Sequence, residues 1–393
     1  MNYIISNIPI QFKINDNRKY NDFNTKTFSG YLKKDVCNAF KKSLMNGLIE
    51  TSCFWSIELL CSGLIDKIYE IFLELSSKYI NISNPKLPYK LYRRYNNYLD
   101  LLKYYEESIE NNDKNIKKEL LLLLRNNQQI RNHICELCYI ICNSHKNKPL
   151  SLTSINKNYY TSEYIKNYIN IDERNIDYYN YNFYKNNDPE QIIIILGAFQ
   201  NFLRHNNYTK SIYILSWILG YEKLLLKNNV KIICSKRDIV NVDSKFHNDI
   251  IWIFWEIILK EAGSMEQIRK IQVDALYILY KYQYNTNKKY KRLPFIFNSI
   301  KYITEFYNIN LPCIINYPIY IKVNSNINNL FHQIRKHEKT TIEHKKETKP
   351  EKKNKTKLDP NSIIKINKLD EIDTLIINKS LNTKTIKLDS IIN

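Results

Sequence analysis

Apolar residues recur at helical spacing through most of this chain, and one such pattern occurs twice. Asn38-Ala39-Phe40-Lys41-Lys42-Ser43-Leu44 leads through a polar turn to Ser52-Cys53-Phe54-Trp55-Ser56-Ile57-Glu58-Leu59-Leu60. Gly197-Ala198-Phe199-Gln200-Asn201-Phe202-Leu203 leads through Arg204-His205-Asn206-Asn207 to Ser211-Ile212-Tyr213-Ile214-Leu215-Ser216-Trp217-Ile218-Leu219. The stretches align without a gap at an offset of 159 residues, with Ala, Phe, Leu, Ser, an aromatic residue and Leu in register. Apolar positions three to four residues apart mark one face of a helix. Each stretch therefore predicts a helical hairpin, and the pair predicts two related helical units. Phe40 and Phe199, Leu44 and Leu203, Leu60 and Leu219 should face equivalent cores.

The rest of the pattern divides the chain. Residues 1–32 carry Ile8-Pro9-Ile10-Gln11-Phe12-Lys13-Ile14, whose alternation predicts an extended arm with a short strand laid on the body. Residues 33–150 form the first helical unit. In it Ile65, Ile68, Phe72 and Leu75 fall at helical spacing, Pro85 and Pro88 break the chain, and further helices follow over 89–109, 114–125 and 128–143. Residues 151–188 are a Tyr/Asn-rich connector, either a linker or a loop draped over the body. Residues 189–325 form the second unit. Asp188-Pro189-Glu190 has the makings of a helix start, with Asp as the cap, and Ser264-Met265-Glu266-Gln267 resembles a capping box. Residues 326–393 read as a basic, flexible tail, since 335–358 are too polar to bury a core. Within the tail, Leu369, Ile372 and Ile376 stand at i, i+3 and i+7. That spacing fits a short docking segment over 363–377, or chance apolar residues in a disordered tail. The fold class expected is all-α: two related multi-helix units with helical hairpins, an extended N-terminal arm and a disordered C-terminal tail.

Composition supports that picture and limits the chemistry. With 44% hydrophobic residues, a chain of 393 residues can bury substantial cores. Only 6 glycines and 10 prolines occur, which argues against Gly-rich phosphate loops and many-turned β folds. The formal charge of +20, from 59 basic against 39 acidic residues, favours a polyanionic partner held in a salt-dependent way. The same lysines, and the 32 tyrosines, are also what an A/T-rich genome supplies. No apolar run is long enough to span a bilayer, and no leader pattern opens the chain. The eight cysteines lie mostly in apolar helical patterns, which fits a reducing intracellular compartment, cytoplasmic or nuclear in a host cell, or a virion.

Several constellations carry candidate chemistry. His133, Cys135, Cys138, Cys142 and His145 have metal-like spacing. On one helix, however, positions 135 and 145 lie about 15 Å apart along the axis, so the spacing reads as a buried face. No metal or other cofactor is expected. Tyr89-Lys90-Leu91-Tyr92-Arg93-Arg94-Tyr95 interleaves aromatic and basic residues. There Tyr92 and Tyr95 would stack on exposed bases while Lys90, Arg93 and Arg94 meet phosphates. Lys289, Lys291 and Arg292 form a second basic cluster, and Lys345, Lys346, Lys352 and Lys353 a third, in the tail. Each cluster can equally be a solvated face. Trp55, Trp217, Trp252 and Trp255 sit in apolar helices and read as core, and Glu58 and Glu256 as paired, partly buried carboxylates. No triad signature, dinucleotide fingerprint or His-rich metal motif is present, and no catalytic residue is assigned.

The first unit resembles a known architecture. Phe40-Lys41-Lys42-Ser43-Leu44 followed by Cys53-Phe54-Trp55-Ser56-Ile57-Glu58-Leu59-Leu60-Cys61-Ser62-Gly63 is similar to the helical C-terminal collar of clamp-loader-related AAA+ ATPases. In that collar a helix ending in a Lys-Ser-Leu run precedes one with an aromatic-rich run and a Gly. Glu136-Leu137-Cys138-Tyr139-Ile140-Ile141-Cys142-Asn143-Ser144-His145-Lys146 echoes its later helix, so the likeness spans residues 38–145. No G-x-x-x-x-G-K-[ST] occurs, so the resemblance implies an oligomerising collar without its motor. The composition also resembles that of uncharacterised proteins of nucleocytoplasmic large DNA viruses. The function expected is a non-enzymatic helical scaffold or adaptor in a nucleic-acid-handling assembly, associated with viral replication. It would bind nucleic acid non-specifically, partner proteins through its helical faces, and no membrane. The alternatives are an internal or minor structural protein of a large DNA virus particle, or an enzyme without a recognisable motif.

Overall fold

The computed structural model describes residues 8–107, 114–170 and 183–340. Among these, every regular element is helical, and the only β-type pairing is an isolated bridge between Lys26 and Leu32. The chain is all-α. Its described residues fall into two compact units: unit 1 holds 8–68, 104–107, 114–142 and 316–340, and unit 2 holds 69–103, 143–170 and 183–315.

Each unit contains one of the repeated hairpins. In unit 1 it is α1 (Lys33–Met45) and α2 (Ile49–Cys61); in unit 2 it is α8 (Glu190–Arg204) and α9 (Tyr208–Lys227). Their turns match bond for bond. The N–H of Asn46 reaches Lys42 and Leu44 carbonyls, and that of His205 reaches Asn201 and Leu203. The N–H of Leu48 closes onto Ser43 O at 3.0 Å, and that of Asn207 onto Phe202 O at 2.8 Å. This six-to-one bond satisfies the free carbonyls of a helix end and needs a left-handed residue just before it. Gly47 (φ 75°) and Asn206 (φ 56°) supply that residue. In the following helices Ser52 and Ser211 hydroxyls both donate back to the carbonyl four residues earlier, at 2.6 and 2.8 Å. Phe40, Leu44 and Leu60, and their counterparts Phe199, Leu203 and Leu219, are all buried.

Unit 1 adds α5 (Lys114–Leu123), α6 (Gln128–Asn143, of which 128–142 belong here), α14 (Tyr317–Ser325) and α15 (Ile327–Ile334). The arm that precedes α1 is not a strand. Pro9 starts a 3-10 turn over Ile10–Phe12, which leaves Ile10 at 86% exposure while Ile14 is buried. The alternation is broken because no neighbouring strand offers a ladder. Asn126 does that work instead: its amide accepts the Ile14 N–H and donates to the Ile14 carbonyl, both at 2.8 Å. On α6, residues Ile130–Cys142 are buried apart from Asn132. Cys135 Sγ lies 4.0 Å from Cys53 Sγ on α2, and Cys142 Sγ lies 3.3 Å from Ser52 Oγ. The metal-like spacing is therefore the spacing of a packed helix face. Arg131 is buried too, its guanidinium held by the carbonyls of Arg125 and Phe12 and the amide oxygens of Asn328 and Asn126, 3.5 Å above the Phe331 ring. Burial lowers its pKa to about 10.

Unit 2 is built around α10 (Ile251–Gly263) and α13 (Leu293–Thr304). Both are apolar on nearly every side, as helices surrounded by others must be. α13 packs on α8, α9, α10 and α11 (Gln267–Lys281). Trp252 and Trp255 are fully buried against Tyr277, Tyr280 and Tyr284. The described part of the connector is draped on this body. α7 (Ser162–Ile169) packs on α8, and Trp217 donates to Tyr159 O at 2.8 Å. Two expected caps are absent. Asp188 does not cap α8: it accepts the N–H groups of Lys185 and Ser235 and pairs with the buried Arg237. Ser264 does not cap α11 either, because its hydroxyl turns back to Glu261 O at 2.8 Å. Arg237 also faces Glu256 at 3.5 Å, so that carboxylate is paired and half-buried.

Candidate nucleic-acid interface

The aromatic and basic run at 89–95 forms part of α4 (Leu87–Glu107), and the helix sorts it by face. Leu87, Leu91, Tyr95, Tyr98 and Leu101 recur at helical spacing and are buried. Tyr95 was expected to stack on bases, but its ring lies in the core of unit 2, 4.8 Å from Tyr69 and 4.9 Å edge-on from Tyr282. On the outer side, Tyr89 and Arg93 are exposed, and the Arg93 guanidinium donates to Tyr89 Oη at 3.1 Å. Lys90, Tyr92 and Arg94 flank that stripe, half-buried.

The second basic cluster is also divided. Lys289, on α12 (Thr286–Lys291), is 3% exposed and lies 2.7 Å from both Glu222 and Asp249. Tyr290 and Tyr284 hydroxyls complete this centre, at 3.4 Å from Glu222 and 2.9 Å from Asp249. An ammonium held this way is a core ion pair and meets no phosphate, so Lys289 leaves the list of nucleic-acid contacts. Arg292 leaves it as well. It is half-buried and donates to the carbonyls of Tyr280 and Tyr282, so it anchors the chain between α11 and α12. Lys291 alone of the three is exposed. The tail residues Lys345, Lys346, Lys352, Lys353, Leu369, Ile372 and Ile376 lie outside the described residues.

What the structure does with these clusters is bring them together. Tyr95 of α4 meets Tyr282, and Arg292 fixes the Tyr282 carbonyl. Tyr282 in turn lines an open groove of about 540 Å3 between the 241–246 loop and the end of α11 with its loop to α12. Asn241, Asp243, Lys245 and Phe246 form one wall; Lys281, Tyr282, Gln283, Tyr284 and Asn285 form the other. Lys281 is half-buried with its ammonium 4.9 Å from the Tyr277 ring centroid, and no carboxylate pairs with it among the described residues. Burial holds its pKa below the usual lysine range. Lys245 lies over Phe246 at 5.0 Å and pairs with the exposed Asp243 at 3.0 Å. Gln283, at φ 46°, sits in the left-handed region that non-glycine residues rarely enter. Its amide is presented at the rim, where Lys288 donates to it at 3.1 Å.

Lys245, Phe246, Lys281 and Gln283 carried no signal that singled them out. They lie before α10 and at the end of α11, apart in the sequence, and lysine and tyrosine are frequent everywhere in this chain. The ion-pair centre behind the groove explains why the wall is firm: Glu222 on α9 and Asp249 before α10 hold α12 from inside. Comparison with protein-family models, curated proteins and solved structures found no match for this chain.

Proposed function

We propose that this protein is a non-enzymatic helical scaffold of a nucleic-acid-handling assembly, and that unit 2 holds the nucleic acid. The observation that carries this reading is one lysine-bearing, aromatic-lined groove, whose Tyr282 is backed by Tyr95 and Arg292 of the two basic-aromatic stretches. A polyanion gains from lysines at a concave wall and from rings that accept stacked bases. Most other charged groups of unit 2 described above are neutralised inward, as Lys289 with Glu222 and Asp249 and Arg237 with Asp188, which suits a rigid support.

The scaffold role is supported by the paired hairpins. The stretch resembling a clamp-loader collar forms α1, α2 and α6, and the last two pack face to face through Cys53 and Cys135. A replication assembly is the setting that likeness implies, the composition adds a viral source, and partner proteins would bind the outer helix faces. Phe306, at 92% exposure after α13, is the most prominent apolar anchor for one.

The test is a binding titration with nucleic acid across salt concentrations. Affinity should fall steeply between about 50 and 200 mM salt, because each neutralised phosphate releases counterions. Affinity indifferent to salt sinks the electrostatic part of the proposal. Turnover of a nucleotide or nucleic-acid substrate by the purified chain sinks the non-enzymatic part.

A further inference from the structure

The groove of unit 2 has the shape and chemistry for one kind of nucleic acid. We infer that it takes the unpaired nucleotides of a single strand, with Lys281 and Lys245 on the backbone phosphates and Phe246 and Tyr282 against the bases. This inference rests on the nucleic-acid reading above and narrows it.

Size comes first. A volume of about 540 Å3 lies within the range of clefts that enclose small organic groups, roughly 300–1,000 Å3. A volume of that order suits single small groups such as unstacked bases rather than the body of a duplex. Single strands are bound by stacking such splayed bases on aromatic side chains along a positive groove. Phe246 and Tyr282 stand half-buried on opposite walls, so each ring is held from behind while lining the space. Phe246 is braced edge-on by Tyr284 at 5.6 Å, and Tyr282 by Tyr95 at 4.9 Å.

Charge comes second. Lys281 is a half-buried cation without a carboxylate partner among the described residues, and a phosphate would supply the countercharge. Asp243 is the one acid on the groove wall, and Lys245 answers it at 3.0 Å. The Asn241 amide lines the groove beside them, while the Gln283 amide is held by Lys288 and Tyr282 and the Asn285 amide caps α12. Lysines and rings with so few free base-reading groups suit binding that tolerates sequence. Gln283 holds a backbone conformation that costs free energy, as residues at binding rims commonly do.

The test uses the full chain and fluorescent oligonucleotides: a mixed-sequence single strand, the matching duplex, and a free nucleotide as competitor. Lys281→Glu and Phe246→Ala should each weaken the single strand by roughly tenfold or more, as loss of a stacked base or phosphate contact does. Lys34→Gln, which removes an exposed charge from α1, should change it less than twofold. Far-ultraviolet circular dichroism checks that the variants fold, and Lys281→Gln provides a milder second variant should Lys281→Glu fail. Single-strand binding that neither groove variant weakens overturns this inference while the nucleic-acid reading stands. Duplex bound as tightly as the single strand, or free nucleotide competing at equal concentration, overturns it as well. No binding to any of the three overturns the broader reading itself.

Discussion

The α1–α2 hairpin of unit 1 and the α8–α9 hairpin of unit 2 share one turn and end differently, and the difference locates the groove. In unit 1 the second helix stops at Cys61, with Ser62 bonded back to Leu59 and Gly63 in the left-handed region at φ 71°. In unit 2 the corresponding positions are Gly220, Tyr221 and Glu222, and α9 runs on to Lys227. The added turns carry Glu222, which holds Lys289 and so fixes α12 behind the groove. A second divergence falls at one register position inside the helices. Glu58 accepts the N–H and hydroxyl of Ser29 at 2.7 Å, while Trp217 donates to Tyr159 O at 2.8 Å. Each copy thus ties down the irregular segment that precedes it, with opposite bonding polarity. The common part is the packing unit; what was changed is how far the helix extends and what it grips.

The largest expected effects test the common part. Phe40→Ala and Phe199→Ala each remove a fully buried ring from the same place in the two hairpins. Each should cost about 3–5 kcal/mol of unfolding free energy in a urea titration. Costs that differ by more than ~2 kcal/mol would mean that the repeated sequence does not make equivalent cores. Next come the tethers. Glu58→Gln keeps the shape but loses a charge-assisted bond, which should cost about 1.5–3 kcal/mol. Trp217→Phe loses a neutral bond and leaves Tyr159 O without that donor, at about 1–3 kcal/mol. Amide exchange at Ser29 should quicken in Glu58→Ala, which removes the acceptor, and stay slow in Trp217→Phe. Exchange at Ser29 that Glu58→Ala leaves unchanged breaks the idea that this position anchors the preceding segment.

The turn separates the copies more finely. Gly47→Ala puts a Cβ 3.4 Å from Cys142 O at a backbone angle that disfavours one, and should cost about 1 kcal/mol. Asn206→Gly, at the matching position, should relieve the same conformation and raise stability by up to ~1 kcal/mol. Both are read by chemical denaturation. The same sign for both would show that the two turns are not conformationally equivalent.

How much of this was legible beforehand follows from where each signal resides. The hairpins were readable because one set of residues encodes both the buried face and the turn: Phe40, Leu44 and Ser52 recur as Phe199, Leu203 and Ser211 with their bonds intact. The basic-aromatic runs were misleading residue by residue. A helix turns successive side chains through 100° or so, so Arg93 faces water and Tyr95 the core within one turn. Lys289 has the composition of a surface residue, and only Glu222 and Asp249, far off in sequence, make its burial favourable. Local capping rules failed at Asp188 for the same reason, because Arg237 outcompeted the helix end. The arm failed as a strand because its hydrogen-bond partner is a side chain, Asn126. The groove was not legible at all: its walls, the 241–246 loop and the end of α11 with the loop after it, meet through the packing of α10 on α11 and the contact of Phe246 with Tyr284.

The smallest expected effect is a divergence in pH response between the units. At Asp16 in unit 1, burial favours the neutral acid, but bonds from Arg18 and from the Lys339 N–H outweigh it and lower the pKa below 3.8. A carboxyl depressed in the folded state adds stability above its unfolded pKa, and that stability is lost as pH falls through the folded value. At Glu256 in unit 2 burial is the largest influence and raises the pKa above 4.5, although Arg237 pulls the other way. Here the folded state holds its proton more tightly. Its contribution is greatest below the unfolded pKa and declines as pH rises from about 4.5 through the folded value. Acid should therefore weaken unit 1 through Asp16 while favouring unit 2 through Glu256. Stability measured between pH 3 and pH 6 should vary less steeply in Asp16→Asn, and in Glu256→Gln should lose a component of the opposite slope. If both substitutions alter the pH profile in the same direction, the two carboxyls do not titrate in the opposed environments that their neighbours create.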